Sequence, residues 1–118
     1  MIDYEPDAED IAKIIANDRG GKQSQIKGKM TEVPPLALLE LSKVMEQGSE
    51  TYPREPDGTP NWYKIGCYSN LDHGLEHAIN FLIEHNKSEP DQAYMLEELS
   101  HLAARSMMAL EQFIRRDL

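Results

Sequence analysis

Apolar residues along this chain recur every three or four positions in several runs, separated by stretches rich in glycine and proline. That period is the mark of helices with one apolar stripe each. Over 7–18, Ile11, Ile14 and Ile15 form such a stripe, with Asp7 as N-cap and Gly20-Gly21 as the stop. Pro34-Pro35 opens a second helix, because proline is favoured in a first helical turn. It continues through Leu38-Leu39-Glu40-Leu41 and ends at Gly48. Residues 49–63 hold Pro53, Pro56, Pro60 and the aromatic Tyr52, Trp62 and Tyr63, so they read as a loop, with a turn at Pro56-Asp57-Gly58. A third helix is predicted over 69–85. Leu71, Leu75, Ala78, Ile79 and Leu82 make its core face, and His73, Glu76, His77, Asn80 and Glu84 its opposite flank. After a short turn at 86–91, a fourth helix spans about 91–116, with Leu96, Leu99, Ala103, Ser106, Leu110 and Phe113 at bundle spacing. No strand-like alternation interrupts the pattern. The expectation is an all-α bundle of four to five helices whose last two form an antiparallel hairpin.

The 118 residues suit one domain, 1–118, with a modest core. No apolar run approaches the ~20 residues of a membrane span, and Met1-Ile2-Asp3-Tyr4-Glu5 is acidic rather than signal-like. The single cysteine, Cys67, rules out an internal disulfide framework and fits a cytoplasmic protein. With no Cys or His beside it, Cys67 is a poor candidate for a zinc ligand or nucleophile. The formal net charge of −9 disfavours a nucleic-acid partner, which needs a broad basic face. A small polyanion is compatible if metal or a local lysine cluster assists. One basic stretch exists: Arg19, Lys22, Lys27 and Lys29 fall in a segment with no acidic residue before Glu32. It either contacts phosphates or is a solubilising loop.

Histidine stands beside carboxylate on both helices of the expected hairpin, as Glu76-His77 and as Glu97-Glu98-x-x-His101. Spacings of three and four share a helical face, so the clusters can meet across the pair. The alternative is an ordinary solvated flank. Oxygen-rich donors meeting there would suit Mg²⁺ or Mn²⁺, and Glu40, Glu46 and Glu50 offer further carboxylates. His73 and His77 have zinc-like spacing, but no third soft ligand is near and the H-E-x-x-H motif is absent. Trp62 either stacks on a base or plugs the core, and Met95, Met107 and Met108 read as core filler.

Several fragments resemble, in order, the phage-type dATP/dGTP diphosphohydrolase-like domain, related to the all-α nucleoside triphosphate pyrophosphohydrolases of MazG type. They are Gly20-Gly21-Lys22, Lys27-Gly28-Lys29, Val33-Pro34-Pro35, Leu38-Leu39-Glu40-Leu41, Gly48 to Tyr52, Asn61-Trp62, His77 and His101-Leu102-Ala103. The resemblance covers about residues 20–110. It departs at Thr51, where the family has lysine, at Glu76, where it has arginine, at Lys43 in place of a second glutamate, and at Ala104 in place of a second histidine.

The resemblance implies a MazG-like bundle that hydrolyses a (d)NTP, a purine deoxynucleotide first, to the monophosphate and pyrophosphate in a bacterial or phage-infected cytoplasm. It implies Mg²⁺ or Mn²⁺ held among Glu40, Glu50, Glu98 and His101, with Glu98, His101 and His77 at the reaction. Lys22, Lys29, Tyr52, Asn61 and Trp62 would contact the nucleotide. A homodimer or homotetramer is expected, with no nucleic-acid or membrane partner. The departures set a second reading beside the enzyme: a non-catalytic phage or prophage accessory protein on the same scaffold.

Overall fold

Three α-helices carry the fold: α1 (Pro35–Thr51), α2 (Cys67–His85) and α3 (Gln92–Ile114). They belong to a computed structural model that describes residues 14–16, 19–24 and 27–118. Although the length argues for one domain, the chain divides after Pro34, and the parts on either side are taken separately. The fold class is all-α. Among the described residues, no helix is long and apolar enough to cross a membrane.

In the first part, the expected helix over 7–18 is corrected where it is described. Ile14–Ala16 forms β1, paired antiparallel with β2 (Lys22–Ser24) in the register Ile14↔Ser24 to Ala16↔Lys22. The β-branched pair Ile14-Ile15 suits a strand as readily as a helix. Gly20 takes φ 79°, so the glycines turn a hairpin instead of ending a helix. Asp7 and Ile11 lie outside the described residues. A short 3-10 turn follows at Met30–Glu32.

In the second part, α1 passes through Gly48, the expected stop, and ends at Thr51. Ser49 Oγ donates to Glu46 O at 2.7 Å and Thr51 Oγ1 to Gln47 O at 3.1 Å, which keeps the last turn wound. Pro53 then forbids continuation. Residues 52–60 are tied down by Thr59 N donating to Asp57 Oδ1 at 2.9 Å, by Arg54 Nη1 donating to Gly58 O at 2.7 Å, and by a Lys64–Glu55 ion pair. A 3-10 turn at Asn61–Lys64 leads to α2. Asp91 caps α3, its carboxylate accepting from Tyr94 N at 3.1 Å. Glu84, buried at the end of α2, accepts from Lys87 Nζ at 3.0 Å and from Asp91 N at 3.3 Å, which closes the hairpin.

The expected core face of α2 is the wrong one. The helices of the hairpin meet through Asn70, Gly74 and His77 on α2 and through Glu98, Leu102, Arg105 and Gln112 on α3. Leu71, Leu75, Ile79 and Leu82 instead stay exposed, Leu75 at 60% and Ile79 at 56%. On α3 the expected stripe fares the same way, with Leu96, Leu99 and Leu110 exposed, while Met95, Ala104, Met108 and Ala109 are buried. Met107, expected in the core, is also exposed. Small and hydrogen-bonding residues let the two backbones approach, and the leucines are left on the outside.

Candidate functional site

The site begins in the hairpin. His77 on α2 and Glu98 on α3 meet across it, with His77 Nδ1 donating to Glu98 Oε2 at 2.6 Å. Burial pushes the Glu98 carboxyl up. Hydrogen bonding from His77 and that histidine's charge, with bonds from Tyr94 and Asn80, outweigh it and hold the carboxyl below the ordinary glutamate value. The His77 and His101 rings lie 5.1 Å apart at a 34° tilt. Three of the residues expected to act together therefore adjoin, in the order Glu98, His77, His101.

His101 is the member of that row that opens onto space. A cavity of about 530 Å³ lies among α1, the segment after it, α2 and α3. Its lining includes the apolar and aromatic side chains of Val44, Met45, Tyr52, Trp62, Ile65 and Met108 and the polar ones of Arg54, His73, Glu97, His101 and Arg105. Trp62 is steadied by an edge-to-face contact with Tyr63, centroids 4.5 Å apart. The Tyr63 ring in turn lies under the Arg115 guanidinium, 4.2 Å from its centroid. A cavity lined by aromatic and cationic side chains together can take a ligand with a planar ring and an anionic group.

Of the sequence-derived site residues, Tyr52, Asn61, Trp62 and His101 line this cavity. Glu98 does not: its side chain turns into the helix contact, and neighbouring Glu97 borders the cavity instead. Glu40 sits part-exposed on α1, paired with Lys43 at 2.8 Å, and Glu50 is exposed near that helix's end. Lys22 is exposed in β2, and Lys29 pairs with Glu32 at 3.5 Å; both belong to the first part of the chain. Among the described residues, no three His, Cys, Asp or Glu side chains gather to hold a metal ion. Glu98 is engaged by His77 and Glu40 by Lys43, and among the described residues Glu40, Glu50, Glu98 and His101 do not gather as one metal-holding group.

Arg54 and Arg105 were missed in the sequence, and His73 was weighed there only for its zinc-like spacing from His77. For Arg105 a signal existed: it follows His101 by four positions, one turn along the same face, within the otherwise uncharged run 102–110. Arg54 sits in a loop, where no periodicity points to it.

The family model described as dATP/dGTP diphosphohydrolase, N-terminal, matches residues 17–118. No curated protein and no solved structure matches the chain.

Proposed function

Because the chain belongs to the dATP/dGTP diphosphohydrolase, N-terminal, family, we propose that it binds a purine deoxynucleoside triphosphate and hydrolyses it to the monophosphate and pyrophosphate. The observation that carries this reading is the cavity, whose lining combines Trp62 with two arginines and two histidines. Trp62 receives the base by stacking, and Arg54 and Arg105 face the phosphates, where fixed positive charge favours a transition state with developing negative charge. Water adds to the α-phosphorus, the bond to the bridging oxygen breaks, and pyrophosphate leaves. His101 is the cavity-lining group suited to take the proton from that water. His77, held by Glu98, keeps the neighbouring ring in place.

The donors described in one chain do not make a site for Mg²⁺ or Mn²⁺. The ion would arrive as the companion of its triphosphate. The protein acts as a homodimer in the cytoplasm, paired through the exposed leucines of α2 and α3. Two such hairpins complete a four-helix bundle.

The test is pyrophosphate release from dATP and dGTP, each supplied with Mg²⁺ or Mn²⁺. Turnover that falls by orders of magnitude in His101→Ala supports the reading; no release from any deoxynucleoside triphosphate sinks it. The departures at Thr51, Glu76, Lys43 and Ala104 favour a second reading, a non-catalytic accessory protein on the same scaffold that still binds a nucleotide. Triphosphate binding without pyrophosphate release would identify it.

A further inference from the structure

Two of the most deeply buried side chains in the described structure are amides. Asn70 on α2 is 0% exposed and Gln112 on α3 is 1% exposed. They form part of one directed chain. Arg105 Nη1 donates to Asn70 Oδ1 at 2.9 Å, and Asn70 Nδ2 donates to Gln112 Oε1 at 2.6 Å. Gln112 Nε2 then donates to Trp62 O at 3.0 Å and approaches Tyr63 O at 3.5 Å. A guanidinium can only donate and a backbone carbonyl can only accept. Both amides are therefore fixed in one orientation, and the chain ties Arg105 to the backbone of Trp62, two residues that line the same cavity.

The charge balance of this chain gives it a direction. A charge withdrawn from water is ordinarily paired with its opposite. Among the described residues no carboxylate forms an ion pair with Arg105. Its partner is a neutral amide oxygen, which orients the guanidinium while leaving its full positive charge. The guanidinium has five N–H donors, and the bond to Asn70 uses one Nη1 hydrogen. The charge borders the same cavity as Arg54, within a protein of net charge −9. A purely structural link between α2 and α3 would not need a cation at one end.

We infer that Arg105 grips the phosphate chain of the nucleotide and that the buried Asn70–Gln112 pair is its positioning device, setting the distance between phosphate grip and base platform. This rests on the nucleotide reading above and assigns parts within it. Arg105 contacts the ligand; Asn70 and Gln112 act through Arg105 and the Trp62 backbone.

The experiment is calorimetric titration with three probes: inorganic tripolyphosphate, dATP and deoxyadenosine. Arg105→Gln removes the charge and keeps an amide donor for Asn70. It should weaken tripolyphosphate and dATP about tenfold to a hundredfold, the range of a charge-assisted hydrogen bond, and leave deoxyadenosine unchanged. Arg105→Lys should restore only part of the loss, because an ammonium lacks the planar fork. Asn70→Ala should weaken dATP, and Asn70→Ala combined with Arg105→Gln should bind no worse than Arg105→Gln alone. A merely structural Asn70 would add its own loss. Should Asn70→Ala not fold, Asn70→Asp carries the test: a carboxylate beside Arg105 neutralises it, and tripolyphosphate binding should fall as in Arg105→Gln. An Arg105→Gln protein that binds tripolyphosphate as tightly as the wild type overturns the inference, while persisting pyrophosphate release leaves the nucleotide reading standing. A wild-type protein that binds neither dATP nor tripolyphosphate overturns both.

Discussion

Glu98 shows how one side chain's surroundings set its role. Neighbouring Glu97 faces the cavity, but Glu98 is taken up by His77 at 2.6 Å and its carboxyl is held below the ordinary glutamate value. A carboxyl depressed in the folded state stabilises the protein above the unfolded-state value, and that contribution is lost as pH falls through the folded value. Acid titration of urea stability should therefore show a loss that sets in through the ordinary glutamate range and is complete below the folded value. Glu98→Gln should lower stability by about 1–3 kcal/mol at neutral pH, as expected for a hydrogen bond to a charged group, and should flatten part of the acid slope. A variant with an unchanged acid slope would mean that the His77–Glu98 pair contributes nothing to folding.

Helix boundaries follow from hydrogen bonds that composition alone does not rank. At the α2–α3 turn, Asp91 supplies the cap and Glu84 braces it by accepting from Asp91 N. Asp91→Ala should cost about 1 kcal/mol, the usual value of an N-cap, visible as a lower thermal midpoint with the helical signal retained. At the other extreme, Gly48 fails to stop α1 although glycine in a helix interior costs about 1 kcal/mol relative to alanine. The turn beyond it is kept by side-chain bonds from Ser49 and Thr51, and Pro53 supplies the stop.

Taken together, the helices of the second part bury few large apolar side chains and expose many. Leu71, Leu75, Ile79 and Leu82 on α2 and Leu96, Leu99 and Leu110 on α3 are all exposed. A second copy of the same hairpin is the proposed cover. Sedimentation should give a dimer for the wild type, and Leu75→Glu with Leu99→Glu should give a monomer that keeps its helical signal. A wild-type protein that is monomeric at micromolar concentration would refute this assembly.

The all-α class, the α2–α3 hairpin and the approximate limits of both its helices were legible in the sequence, because 3.6-residue periodicity and capping act locally. So was the meeting of His77, Glu98 and His101, since i, i+3 and i, i+4 spacing on paired helices narrows where side chains can fall. The strand at Ile14–Ala16 was not legible: β-branched residues beside a Gly-Gly pair fit either state, and cross-chain pairing chose between them. Nor was the rotation of α2 and α3. An apolar stripe reports that a face will be buried but not by which neighbour, and the contact within this chain went to Asn70, Gly74, His77, Glu98 and Gln112. That rotation sent Glu98 inward, left the candidate metal ligands apart and brought Arg105 to the cavity, because helix packing is decided by how closely two whole surfaces fit.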